Sequence, residues 1–125
     1  MEGKGEHAGR LDVKHGGITL ITNIARVLGL GSGLTERGTV KRLRGAAAAG
    51  RIPAELQEGL EEAFGILWRT RLDHHVRCWQ SGRPLDDFVD PATLGPLSRR
   101  ALKESFAIIS RAQDALATEF GIARR

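Results

Sequence analysis

Several residue types that report on location and partners are scarce or missing in this sequence of 125 residues. It has no tyrosine and one cysteine, and aromatic residues make up 5% of the chain. A single cysteine excludes a disulfide within the chain and is typical of the reducing cytoplasm, where we expect the protein to reside. No apolar run approaches the ~20 residues of a membrane-spanning helix, and the N-terminus lacks the apolar centre of a signal peptide, so no membrane association is predicted.

Motifs of the common catalytic classes are missing as well. The sequence has neither a Gly-x-Ser-x-Gly nucleophile elbow nor a phosphate-binding loop ending in Gly-Lys-Ser/Thr. It also has no Asp-x-Asp pair, whereas nucleotidyl transfer needs closely placed carboxylates that hold divalent metal ions. We therefore predict that this chain is not an enzyme by itself and has no catalytic residues.

The charged residues that are present make the chain mildly basic. The 19 lysines and arginines exceed the 15 acidic residues, which gives a net charge of +4 and a pI of about 10.0. This excess fits an anionic partner such as a nucleotide, and it fits equally well a surface that is basic only for solubility. Nucleic-acid binding through Arg37, Lys41, Arg44 and Arg51 is not expected, because no surface aromatic residues alternate with these cations to stack on bases.

The spacing of apolar residues predicts an all-α protein. We expect an antiparallel bundle of four main helices with a short extended segment before the first. The predicted helices are about 17–30, 39–49, 53–81 and 96–120. Residues 1–9 are predicted to be a flexible N-terminal segment, 10–121 the helical domain and 122–125 a tail.

Local signals set the ends of these helices. Thr39 is predicted to cap the second helix, because its hydroxyl can accept an early backbone N–H, and Asp90 is predicted to cap a short turn before the fourth helix. No sheet is predicted. The two prolines and three acids of residues 83–91 argue against a strand or a helix in that loop.

Several cations stand where an anion site could form. Asp12 and Lys14 precede a double glycine and a helix start, where free N–H groups favour anions, although they could simply pair on the surface. Arg26 and Arg71 interrupt apolar stripes, which is costly unless each is paired or lines a pocket. Lys14, Arg26, Arg42, Arg71 and His75 could therefore converge on one cleft between helices. The alternative is a set of structural ion pairs with Asp12, Glu62 or Asp73.

Metal binding is not predicted. His74 and Cys78 are one helical turn apart and could both contact one ion, but two ligands do not make a site. The acids Asp86, Asp87 and Asp90 lie in the proline-containing loop, where turn and cap roles are expected.

Six motifs in order resemble a known family. They are Leu11-Asp12-Val13-Lys14-x-Gly16-Gly17, Ala25-Arg26-Val27-Leu28, Thr39-x-x-Arg42-Leu43, Arg71-Leu72-x-His74, Asp90-Pro91-x-x-Leu94 and Leu97-Ser98-x-x-x-Leu102-Lys103-Glu104. Their order and spacing resemble the nucleotidyltransferase substrate-binding domain of bacterial signalling proteins. In these proteins the domain follows a catalytic domain similar to the PII-protein uridylyltransferases, often together with CBS and cyclic-nucleotide-binding domains.

The resemblance implies a non-catalytic helical module that binds a substrate or nucleotide and packs against a nucleotidyltransferase catalytic domain, in cis or in trans. It implies no cofactor of its own beyond a Mg-nucleotide shared with an upstream catalytic domain. The resemblance places the polar positions of the family motif at Asp12, Lys14, Arg26, Thr39, Arg42 and Arg71. With His75 from the possible cation cluster, these are the predicted substrate- or phosphate-binding residues. Many family members have glutamine where this chain has His75, which argues against catalysis by that residue. The alternative function is a protein-interaction or dimerisation bundle that docks a catalytic or regulatory domain, with a homodimer as one form.

Overall fold

The computed structural model describes residues 9–31 and 38–119, and its main elements are helices. The predicted all-α helical bundle is confirmed. The elements are β1 (Leu11–Asp12), a π-helical turn (Lys14–Ile18), α1 (Thr19–Gly31), α2 (Thr39–Ala48), α3 (Ala54–Gln80), β2 (Phe88–Val89), a 3-10 turn (Pro91–Thr93) and α4 (Pro96–Glu119). None of the described helices combines the length and the apolar character that a membrane span requires.

The core is built from the inner faces of the four helices. Helix α3 contributes Leu56, Leu60, Ala63 and Leu67 at helical spacing, and all four are buried. The largest fully buried side chains of the other helices are Ile21, Leu28, Leu43 and Leu102. Helices α3 and α4 pack antiparallel, because Gly59 faces Ile108 near one end whereas Thr70 and Ser98 share a cleft near the other.

The chain also contains a small sheet, which corrects the prediction that there is none. Leu11 pairs with Val89 and Asp12 with Phe88 in an antiparallel ladder. The prediction for residues 83–91 was wrong because both prolines flank the apolar pair Phe88–Val89 and leave its N–H groups in place. The predicted cap at Asp90 is confirmed, since its Oδ1 accepts the Ala92 N–H at 3.0 Å.

The helical region begins at Lys14, earlier than the predicted start at 17. The Ile18 N–H donates to the Val13 carbonyl at 3.0 Å, which closes the wide turn that precedes α1. Gly17 lets this turn approach α3 closely, because a Cβ there would lie 2.8 Å from Leu67 Cδ2.

Helix α2 begins at Thr39, but the predicted cap by this residue is wrong. The residue before the helix is Gly38, whose φ of 90° is in the left-handed region that glycine adopts easily. Thr39 is already helical, and its hydroxyl lies 3.5 Å from the Thr22 hydroxyl on α1. On the other side of α2, Arg44 binds Glu61 of α3 at 2.9 Å. Arg37, named above as a basic residue, lies outside the described residues.

Candidate functional site

Asp87 is the centre of a part-buried cluster that fastens the loop before β2 to helix α3. Its Oδ1 lies 2.7 Å from Arg71 Nε and 2.9 Å from His75 Nε2. Burial raises the pKa of this carboxyl, but the hydrogen bonds and charges of Arg71 and His75 outweigh burial and bring the pKa below its ordinary value. Arg71 is therefore paired, and its partner is Asp87 rather than Asp12, Glu62 or Asp73.

The N-terminal segment reaches the same loop. The Val13 N–H donates to the Asp87 carbonyl at 3.0 Å. The Asp12 side chain binds neighbouring backbone groups: its Oδ1 accepts the N–H groups of Lys14 at 3.1 Å and of His15 at 2.8 Å. Four of the seven residues predicted to bind substrate are thus brought to one region. They are Asp12, Lys14, Arg71 and His75.

The other three predicted residues lie on α1 and α2. Arg26 is exposed on α1, so it does not face the core as its surrounding apolar residues suggested. Arg42 reaches α1 near its far end, since a Cβ at Gly29 would be 3.7 Å from its Cγ and Cδ. Gly29 lies about 16 Å along the helix from Ile18, at 1.5 Å per residue. The seven predicted residues therefore fall into two groups, one beside the N-terminal segment and α3 and one on α1 and α2.

A second candidate site is a pocket along helix α4. It has a volume of about 510 Å³ and is formed by α4, the 3-10 turn and strand β1. Its apolar walls are Leu11, Pro91, Pro96, Leu102 and Phe106. We call this the α4 pocket. Its size and mainly apolar lining are typical of sites for small organic ligands.

Cations surround the apolar walls of the α4 pocket. Arg99, Arg100 and Lys103 line it together with one acid, Glu104. Arg99 donates to the Leu94 carbonyl at 3.0 Å. Within residues 9–31 and 38–119, Arg100 and Lys103 have no carboxylate partner. The nearby N-terminus of α4 adds the positive end of a helix dipole. The pocket thus combines an apolar floor with a basic rim.

The N-terminal segment also borders this pocket. Leu11 lines it directly, and a Cβ at Gly16 would be 3.9 Å from Phe106 Cε1. Asp12 and Lys14 therefore belong to a segment that connects the α4 pocket to the Asp87 cluster.

A comparison of the sequence with known protein families gives the same family as the six motifs. Residues 1–120 match the family described as putative nucleotidyltransferase substrate binding domain. The chain belongs to this family. The resemblance read from the motifs is confirmed, and the family's name associates the domain with nucleotidyltransferases. No curated protein and no solved structure matches the chain.

Three motifs of the substrate-binding domain supply walls of the α4 pocket. Leu11 comes from the first motif, Pro91 from the fifth, and Leu102, Lys103 and Glu104 from the last. The prediction from the sequence did not include these positions, because it selected polar residues of the first four motifs together with His75. Helical spacing in the sequence does indicate that one face of α4 carries Pro96, Arg100 and Lys103, and this is the signal that could have pointed to the pocket.

The substrate-binding domain also exposes an apolar stripe on α3. Trp68, Leu72, Val76 and Trp79 follow one another at helical spacing and are exposed, with 76% of Trp79 accessible. Trp68 packs edge-on against Phe64, and the Arg71 guanidinium lies 5.2 Å from its ring centroid. We call these four residues the α3 stripe. The helical spacing of these four residues is visible in the sequence, but their exposure is not.

Further along α3, His74 and Cys78 meet the loop before β2. His74 Nε2 lies 2.7 Å from Asp86 Oδ1 and 3.6 Å from Cys78 Sγ. The same Asp86 oxygen accepts the Phe88 N–H at 3.1 Å, which is the turn role predicted for this acid.

Proposed function

We propose that this domain is a non-catalytic substrate-binding module of a bacterial nucleotidyltransferase system and that the α4 pocket receives a nucleotide. The observation that carries this proposal is the combination of an apolar floor with the cations Arg100 and Lys103 in a pocket of about 510 Å³. Family membership supports a role beside a nucleotidyltransferase. The single cysteine supports a cytoplasmic setting.

The two parts of the pocket suit the two parts of a nucleotide. Phe106 and Leu102 offer a surface on which a base can lie, and aromatic faces stack on bases without selecting among them. Arg100 and Lys103 offer donors for phosphate oxygens, and arginine binds phosphate well through its planar fork of donors. Glu104 reduces the net charge of the rim, which favours a nucleotide that brings its own Mg²⁺.

The N-terminal segment has a supporting role in this proposal. Arg71 and His75 are engaged by Asp87, and Asp12 by backbone N–H groups. These contacts hold Leu11 in the pocket wall. Lys14, which follows this strand, lies where a catalytic domain preceding the bundle would meet it and remains a candidate phosphate ligand. Arg26, Thr39 and Arg42 form the competing candidate surface, on α1 and α2.

Calorimetry with Mg-ATP and Mg-UTP tests the pocket. We expect Arg100→Ala and Lys103→Ala each to weaken binding about tenfold, the loss of one charge-assisted hydrogen bond. Arg111→Ala removes an exposed charge further along α4 and serves as the matched control. Arg26→Ala tests the competing surface and should leave affinity unchanged. A loss of affinity in Arg26→Ala but not in Arg100→Ala would place the ligand on α1. Absence of binding both to the isolated chain and to the chain joined with its catalytic domain would refute the proposal.

The α3 stripe supports a second role, in docking. A row of large apolar side chains exposed along three turns of helix is typical of a surface that a partner covers. We propose that the nucleotidyltransferase catalytic domain is the partner, because the family's name joins the two modules. The stripe and the α4 pocket involve different helices, so the two roles are compatible.

A further inference from the structure

Three side chains of the types that bind metal ions lie close together outside the α4 pocket. His74 and Cys78 come from successive turns of α3, and Asp86 comes from the loop that returns to it. One donor atom of each residue lies within 4.8 Å of the other two. Two of these donors are adjacent on a helix, but the third is 8 residues beyond Cys78, and only the fold brings it close.

The distances suit one small cation. In tetrahedral coordination, with Zn–N and Zn–O near 2.1 Å and Zn–S near 2.3 Å, two donors lie about 3.5 Å apart. The observed separations from His74 Nε2 are 3.6 Å to the sulfur and 2.7 Å to the carboxylate oxygen. The same imidazole nitrogen faces both other donors, which is the arrangement that a shared ion requires. Opening the His74–Asp86 contact by less than about 1 Å makes room for the ion.

Burial supports a bound ion over a chance cluster of surface groups. Cys78 is fully buried, and the side chains of His74 and Asp86 are 12% and 31% exposed. The helix and the Phe88 N–H on Asp86 orient the donors before an ion arrives. His74 also lines a small polar cleft of about 190 Å³ with Arg69 and Arg77, where an anionic or water ligand could reach the ion.

The neighbouring histidine shows what a purely structural pair looks like. His75 Nε2 lies 2.9 Å from Asp87 Oδ1, almost the same distance as in the His74–Asp86 pair. There, however, the third group is the Arg71 guanidinium, a cation that repels a metal ion. At His74 the third group is a thiol. Helix α3 therefore carries two neighbouring His–Asp contacts, and of these two the His74–Asp86 contact is the one with a metal-compatible third donor.

We propose that His74, Cys78 and Asp86 bind one Zn²⁺ ion with three protein ligands. Thiolate, imidazole and carboxylate are the ligands that zinc takes in proteins, and thiolate disfavours Mg²⁺ and Ca²⁺. Binding releases the thiol proton to solvent. The fourth position takes water or an anion. The ion joins α3 to the loop that carries β2, and so it would steady strand β1 and the wall of the α4 pocket.

Cobalt titration tests this site without any assay of activity. The full chain is reduced with a phosphine, stripped of metal and titrated with Co²⁺ in the absence of oxygen. We expect one equivalent to give intense tetrahedral visible bands and a near-ultraviolet thiolate-to-cobalt charge-transfer band, both removed by one equivalent of Zn²⁺. Cys78→Ser should abolish the charge-transfer band, and His74→Ala and Asp86→Ala should each weaken Co²⁺ binding by about tenfold or more.

His75→Gln is the matched control and should leave Co²⁺ affinity unchanged. The spectrum of the unaltered chain remains decisive even where a variant at buried Cys78 fails to fold. A weak octahedral spectrum without the charge-transfer band, or a titration that His75→Gln reduces as much as His74→Ala does, would overturn the proposal.

Discussion

Asp87 shows how one residue, through its side chain and its backbone, can hold distant parts of the chain together. It holds Arg71 and His75 through its carboxylate and Val13 through its carbonyl. Without it, a part-buried guanidinium would lose its anion. A sequence can show that Arg71 needs a partner, because it stands among apolar residues, but it cannot show which acid supplies one.

We expect Asp87→Ala to destabilise the fold by about 1.5–3 kcal/mol, the range for a hydrogen bond that involves charged groups. Urea denaturation measures this change. Asp73→Ala removes an exposed acid from the same region and should change stability far less. Equal losses in the two variants would contradict a structural role for the Asp87 cluster.

Helix α3 shows which features of an element can be predicted from spacing. Its inner row, from Leu56 to Leu67, follows helical spacing in the sequence and is buried. The second row, the α3 stripe, was also visible as a periodic pattern, but spacing does not reveal whether another element covers a face. The small sheet was missed for a related reason, since a two-residue strand is decided by its partner and not by its own sequence.

The contact between the π-helical turn and α3 depends on a single glycine. Gly17→Ala would place a Cβ 2.8 Å from Leu67 Cδ2 and 2.9 Å from its Cδ1. Leu67 is fully buried and has little room to move. We therefore expect a loss of about 1–3 kcal/mol, typical of overpacking, measured as a lower urea midpoint.

Gly16 provides the matched control for this element. Its added Cβ would be 3.9 Å from the nearest atom, an ordinary contact. Gly16→Ala should keep or raise stability, because alanine favours helical backbone. A stability loss as large as that of Gly17→Ala would show that the turn itself, and not its packing on Leu67, is sensitive.

At the scale of the whole molecule, family membership and fold were accessible from sequence, whereas the set of residues that lines the α4 pocket was not. The six motifs predicted the family, and the apolar spacing predicted the bundle. The α4 pocket, by contrast, is assembled from residues 11, 91 and 96–106, which tertiary packing brings together. The polar positions selected from the sequence lie in two regions of the fold.

The α3 stripe makes docking measurable by intrinsic fluorescence. The chain has two tryptophans and no tyrosine, and both tryptophans lie in the stripe. When the nucleotidyltransferase catalytic domain covers the stripe, the difference emission of the complex should shift to shorter wavelength, because the indoles leave water. Leu72→Ala should weaken the complex, and Leu97→Ala, an exposed leucine on α4, should not.

Light scattering tests which molecule, if either, covers the α3 stripe: the catalytic domain or a second copy of this chain. We expect the isolated chain to be monomeric and a complex to form only with the catalytic domain. A stable homodimer that Leu72→Ala dissociates would assign the stripe to a second copy of this chain. A complex that forms with unchanged tryptophan emission would show that docking uses another surface.

Nucleotide binding in the α4 pocket is tested most directly by amide chemical shifts of the isotope-labelled chain during titration with Mg-ATP. We predict saturable shifts at Leu11 and along residues 99–106, and none at the exposed control Arg111. The Arg100→Ala variant should need about ten times more nucleotide to reach the same shifts. Shifts centred on Arg26, Thr39 and Arg42, with residues 99–106 unchanged, would contradict the assignment of the pocket.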